Sequence, residues 1–249
     1  MQEENIHDKM KQIFGKVPDF SVLEEKIDLD LQIEYFECSR NVKSDLDPEH
    51  AIRHKDDIFN LRLDEALRKQ RFAELASVEQ VEIYRTIEKY VESGKNELRS
   101  WAILALQESR MLLVSRLLGE DQVFISTGLG GKDGRLRYNV VLIRKNGKYF
   151  DATQQKVVRN EFEFMICHHQ GEIEKLTFDE RYATMLVLIP INITIKELFK
   201  QAIRECNQYG DFLKENFIVT NVKELSCNEI DEFIDTTSNL SQEEPGQDS

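Results

Sequence analysis

Residues 96–118 read NELRSWAILALQESRMLLVSRLL, the longest apolar-rich stretch of the chain without Pro or Gly. Leu98, Trp101, Ala102, Ala105, Leu112 and Leu113 recur near helical spacing, and Leu104, Leu106, Met111, Val114, Leu117 and Leu118 widen the stripe beyond one face. A helix apolar around most of its circumference is buried among neighbours, and this one falls short of the run of about 20 apolar residues that spans a bilayer. It holds the only tryptophan of the chain. After Gly119 the apolar period changes from helical to two. The expected fold is therefore α+β: a helical N-terminal half packed through this helix onto a mostly antiparallel sheet with one or two covering helices. The expected divisions are a helical region over 1–119, a sheet region over 120–234 and a disordered acidic tail over 235–249.

Working back from that helix, Ser77 and Gln80 stand three apart as a capping box for a helix with Ile83, Tyr84, Ile87, Tyr90 and Val91 inside and Gly94 at its end. Leu61–Ala76 reads as another helix, and Asp47-Pro48 as a cap and first helical residue. In Ser21–Arg40 helical spacing competes with the alternation of IDLDLQIEYF, and Ser21 with Glu24 tips the reading to helix. Helical hairpins joined by short turns, with LRSWAILAL at their centre, resemble HEAT or armadillo repeats, but no fixed period recurs.

Working forward, Val123–Thr127 alternates as a strand. GLGGKDG (Gly128–Gly134) is a loop, and Leu136, Tyr138, Val140 and Leu142 mark one strand face. Lys145-Asn146-Gly147-Lys148 signals a tight hairpin leading to a strand near Tyr149 and Phe150. EFEFMICHH (Glu161–His169) alternates like a strand, and Tyr182–Pro190 like a central one. Thr194 and Glu197 open a helix with Leu198, Phe199, Ala202, Ile203, Cys206 and Tyr209 inside, and FIVTNV (Phe217–Val222) is a last strand before a short helix near Asn228–Ile234.

A net charge of −13 over 249 residues disfavours general nucleic-acid binding, since phosphates would be repelled from most of the surface. The polar opening MQEENIHDKMKQIF lacks the pattern of a secretory signal, and four cysteines without CxxC spacing fit reduced thiols, so a cytoplasmic protein is expected. No cofactor or metal signature is present. His50 and His54 lie four apart, as two ligands on one helix face would, but Ala51 stands where the zinc-peptidase pattern needs Glu. Cys167 and His169 would share a strand face with no carboxylate to orient them.

The candidate ligand site is the Gly-rich loop with the basic hairpin beside it: Gly130, Gly131, Lys132, Arg135, Arg137, Arg144, Lys145 and Lys148. Exposed loop amides can cradle an anion, and Arg135 and Arg137 share a face about 7 Å apart, the reach of two phosphates or carboxylates. The loop lacks the first Gly and the final hydroxyl of a Walker motif, and a strand follows where that motif has a helix. The expected role is a non-enzymatic interaction or regulatory module with a protein partner; the alternative is a phosphate- or nucleotide-binding protein or enzyme acting around Gly128–Arg137. Beyond Lys223 the sequence has eight acidic residues and no basic one, so the tail is expected to hover over the basic hairpin.

Overall fold

The computed structural model describes residues 10, 12, 20–94, 97–119, 122–145 and 149–240. The fold is α+β, with eight α-helices among the described residues and a mostly antiparallel sheet. The chain divides into two compact units: Pro18–Gly128, and Leu129–Ser249 together with Met1–Val17.

The first unit is helical. A short strand β1 (Phe20–Val22) pairs in parallel with β2 (Val123–Ile125), tying the two ends of the unit together. Between them run α1 (Leu29–Ser44), α2 (Pro48–Arg53), a 3-10 turn (Lys55–Phe59), α3 (Glu65–Ala76), α4 (Val81–Glu92) and α5 (Arg99–Leu118). The helix expected over Ser21–Arg40 begins later, because Asp28 rather than Ser21 is the cap: its carboxylate accepts from the Asp30 N–H at 2.9 Å. Asp47 caps α2 through the N–H groups of Glu49 and His50, with Pro48 as first helical residue. Ser77 does not cap α4; its hydroxyl turns back to the Ala73 carbonyl at 3.0 Å. The N-cap expected at Asn96 lies outside the described residues.

α5 forms the floor of this unit. Trp101 is 2% exposed, donates Nε1–H to the Lys69 carbonyl at 3.0 Å, and meets the Tyr35 ring edge-on at 5.1 Å. Phe72, Leu75, Ile83, Ile87 and Tyr90 complete the core from α3 and α4. Burial of side chains this size supplies roughly 1.5–3 kcal/mol each, the main favourable term against chain entropy.

The second unit is a sheet covered by helices. Strands β4 (Arg135–Arg144), β5 (Glu172–Phe178), β6 (Tyr182–Pro190) and β7 (Leu213–Thr220) lie in the order β5-β6-β4-β7, every neighbour antiparallel. The helices α6 (Ala152–His168) and α7 (Ile195–Asn207) connect β4 to β5 and β6 to β7, and each crossover skips one strand. This is the split-βαβ, ferredoxin-like topology. Val140 and Leu142 of β4 and Met185, Val187 and Ile189 of β6 face Phe162, Ile166, Phe199 and Ile203 of the two helices in a dry core. A last helix, α8 (Cys227–Leu240), sets Ile230 and Ile234 against Val141, Ile143 and Tyr182 on the opposite sheet face.

Four readings are corrected here. Glu161–His169 is helix, not strand. Asp151 accepts from the Gln154 N–H and Gln154 answers in a full capping box, so Val158, Phe162, Met165 and Ile166 fall on one buried helical face. No strand forms at Tyr149 and Phe150, and residues 146–148 of the expected turn lie outside the described set. Tyr209 is 66% exposed rather than part of the α7 core face. The terminal helix runs to Leu240, beyond its expected end at Ile234.

Candidate functional site

The structure places each residue of the Gly-rich loop and basic hairpin, except Lys148, which lies outside the described residues. Gly131 and Lys132 form a two-residue strand, β3, paired with Arg135 and Leu136, and positive φ at Asp133 (50°) and Gly134 (73°) closes a tight primed turn. The loop is a paired hairpin, with Gly130 and Gly131 buried. Its cations are matched by carboxylates. Arg137 makes a bidentate pair with Glu174 at 2.5 and 2.8 Å and donates to the Leu129 carbonyl at 2.7 Å. Arg135 meets Asp133 at 3.3 Å and Glu172 at 3.5 Å, and Lys132 reaches Glu172 at 3.9 Å. Lys145 pairs with Asp211; Arg144 donates to the Tyr149 carbonyl and lies over the Phe150 ring. The structure thus brings Lys132, Arg135 and Arg137 together, but onto the acidic edge strand β5.

Of the acidic residues beyond Lys223, Glu224 pairs with Lys175 at 3.9 Å and its charge also acts on Arg137, while Glu243, Glu244 and Asp248 lie outside the described residues. Asp231 and Asp235 pair with Arg181 at 3.2 and 2.6 Å, and Glu229 pairs with Lys223. His50 and His54 stack at 4.2 Å between ring centroids, with His54 Nδ1 on the His50 carbonyl and His50 Nδ1 against Arg71. Cys167, His168 and His169 end α6, where His168 stacks on Phe164 one turn back.

Among the described residues, three cavities gather further chemistry. One of about 610 Å3 is ringed by Glu34, Glu37, Asp45 and Glu74 beside Cys38 and His50. Burial first, then the charges of Glu34 and Glu74, push the Cys38 thiol up, so it is a neutral thiol and a poor nucleophile. A second, of about 240 Å3, lies on the sheet between Asn139, Thr177, Tyr182 and Cys227. Asn139 is already spent there on the Met185 carbonyl and the Leu225 N–H.

The third, of about 580 Å3, lies between α1 and α5 and is the candidate site. Phe36, Ser39, Arg40 and Lys43 fall at i, i+3, i+4 and i+7 on α1, one helical face. Leu104, Glu108, Met111, Leu112 and Ser115 make the facing stripe of α5, and Phe124 of β2 closes the apolar side. Glu108 anchors the polar end. It accepts from Tyr35 Oη at 2.5 Å and from Ser39 Oγ at 2.7 Å, and pairs with Lys43 Nζ at 2.5 Å. Burial first, then the Glu108 charge, hold the Tyr35 phenol well above its usual range, so Tyr35 stays a donor. Ser39 is 3% exposed and fixed, whereas the Lys43 side chain is 54% exposed and keeps donors turned to solvent. Arg40, exposed on the same face, has no ion-pair or hydrogen-bond partner among the described residues.

Apolar walls, a fixed carboxylate and two rim cations in one cleft of ligand size fit the usual build of a small-molecule site. The sequence signal was the spacing of Ser39, Arg40 and Lys43, hidden because the expected helix stops at Arg40 whereas α1 continues to Ser44. No sequence signal joins them to Glu108, 69 residues beyond Ser39.

No protein-family profile matches the chain, and no curated protein matches it. Among solved structures it is similar to a candidate transposase from Deinococcus radiodurans R1, at 14% identity and a TM-score of 0.35 over 41% of this chain and 90% of that one. It is also similar to a REP-associated tyrosine transposase bound to a REP hairpin, at 9% identity and a TM-score of 0.31 over 44% of this chain and 69% of that one. With transposases as neighbours, the expectation of a non-enzymatic protein-interaction module, and the exclusion of nucleic acid drawn from net charge, are withdrawn. A net charge averages over the whole surface and does not describe a local cleft. At these scores the likeness does not extend to activity. Among the described residues no helix is long and apolar enough to cross a membrane.

Proposed function

We propose that the α1–α5 cleft binds a small amphipathic anion, its apolar or aromatic body against Leu104, Met111, Leu112 and Phe124 and its acidic head group on Arg40 and Lys43. The observation that carries this reading is Arg40, without a partner among the described residues, one turn before Lys43, both at the rim of an apolar trough. A guanidinium offers five donors in a plane and an ammonium three that rotate, so together they suit oxygen anions of several shapes. Molecules of this class include aryl carboxylates, nucleotides and a nucleotide unit of a nucleic-acid strand.

Calorimetric titration of the full chain with benzoate and with methyl phenyl phosphate tests it, benzyl alcohol serving as the uncharged control. Arg40→Ala should weaken both anions roughly ten- to a hundredfold, the loss of one charge-assisted contact worth about 1.5–3 kcal/mol. Leu112→Trp, which fills the trough, should abolish binding. Equal affinity in wild type and both variants would overturn the assignment.

A further inference from the structure

Glu108 occupies, inside the free protein, the place that an anionic ligand would take against Lys43. We propose that Glu108 sets the charge selectivity of the cleft: it acts as a built-in counter-anion, so that the site accepts head groups of one negative charge and discriminates against those of two. The inference rests on the preceding assignment of the cleft.

The argument begins with the charges that face the head-group position. From α1 they are Arg40, Lys43 and the phenol of Tyr35; from α5, Glu108; β2 contributes only Phe124. Two cations and one carboxylate leave a single positive charge. Glu108 cannot swing away to make room for a competitor, because Tyr35 and Ser39 hold its two oxygens at 2.5 and 2.7 Å while Lys43 takes one of them at 2.5 Å. Its own side chain is only 16% exposed, so its field is weakly screened.

A monoanion on Arg40 brings this cluster to neutrality, and the free donors of Lys43 can add a second contact. A dianion overshoots, and its second charge meets the fixed Glu108 carboxylate across the ammonium. Singly charged oxygen anions are carboxylates and phosphodiesters; the doubly charged one at neutral pH is a phosphomonoester, whose second proton dissociates near pH 6. The cleft therefore suits a carboxylate or an internal phosphodiester and rejects a terminal phosphate.

The test compares phenyl phosphate with methyl phenyl phosphate, which share the ring and differ in charge, by calorimetry on the full chain. Wild type at pH 7.5 should bind the diester more tightly. Glu108→Gln keeps the size and an acceptor for Ser39 but removes the charge, and it should improve the monoester relative to the diester by roughly tenfold, the scale of one like charge removed from a half-exposed site. A parallel pair, a dinucleotide with one internal diester against benzoate, separates the nucleic-acid source of the head group from a carboxylate one. Preference for the dianion in wild type, or an unchanged ratio in Glu108→Gln, would overturn the proposal. Should that variant fail to fold, the pH series of wild type decides. Phenyl phosphate should bind more tightly as pH falls from 7.5 to 5 and it becomes a monoanion, and weaker binding would overturn the idea. If Arg40→Ala leaves every probe unaffected, the site itself is wrong; if Arg40→Ala weakens them all and the charge ratio still does not move, only the role of Glu108 is.

Discussion

The helical unit and the helix-covered face of the sheet unit bury side chains of opposite character. In the sheet unit the helices close on Val140, Val187, Ile189, Phe162 and Phe199 with no polar group among them. In the helical unit the α1–α5 seam carries Tyr35, Ser39 and Glu108 into the interior, and Arg68 on α3 is 3% exposed with two of its nitrogens lacking a hydrogen-bond partner. A dry core stabilises by area alone, whereas buried polar groups cost free energy unless each finds a partner. Sites that keep such groups near an open cleft are where binding chemistry concentrates, which is why the cleft and not the basic hairpin is assigned a function. The hairpin shows the contrary case, a set of cations already satisfied by Glu172, Glu174 and Asp211.

The largest expected effects are cavities, and they should be alike in both units. Trp101→Ala removes the ring packed between Tyr35 and Lys69 and should cost roughly 3–5 kcal/mol in denaturant melts. A loss below about 1 kcal/mol would mean that α5 is not the floor of its unit. Ile189→Ala in the sheet unit should cost about 2–5 kcal/mol. Equal losses at every pH below 10 would fit a purely apolar origin for it.

A middle-sized effect separates the units. Tyr35→Phe removes a hydrogen bond to a carboxylate and should cost about 1.5–3 kcal/mol, while Tyr138→Phe in the sheet unit removes none. Both phenols are raised, Tyr35 by burial and then Glu108, and Tyr138 to about 12 by burial alone. Their folded values lie above the unfolded value near 10, so their contribution to stability is fully present below about pH 10 and is lost as pH rises through the folded values. Ultraviolet titration should show Tyr35 ionising at lower pH in Glu108→Gln, with Tyr138 unmoved. A shift of both, or of neither, would break the contrast.

The smallest effect belongs to α8. Arg181→Ala breaks the pairs to Asp231 and Asp235, which are largely exposed, and should change stability by at most about 1 kcal/mol. A larger loss would show that these ion pairs, rather than Ile230 and Ile234, hold the helix to the sheet.

Much of this architecture was legible in the sequence. The apolar stripe of residues 96–118 marks a buried helix, and YATMLVLIP stands out as the strand flanked on both sides. The alternation of Leu136–Leu142 marks the helix-covered face of β4 but not that its other face is buried too, with Val141 and Ile143 packed on α8. What misled was alternation on a helix: EFEF places its phenylalanines two apart, so Phe162 is buried while Phe164 is 68% exposed. The capping box of Asp151 and Gln154, ten residues earlier than Glu161, carried the true signal. β5 went unread because an edge strand with one half-exposed face lacks a clean period. That omission hid the carboxylates of Glu172 and Glu174, and without them the hairpin looked like an open anion site. The cleft was legible only by half, since its α1 stripe is local and its α5 stripe is joined to it by tertiary packing alone.

A crystal structure of the full chain grown with methyl phenyl phosphate tests the central claim most directly. The account predicts the ring in the trough between Leu104, Met111 and Leu112, the phosphate oxygens on Arg40 and Lys43, and Glu108 still bonded to Tyr35 and Ser39. A probe seated on the Gly128–Gly134 hairpin, or an empty α1–α5 cleft at saturating probe, would contradict it.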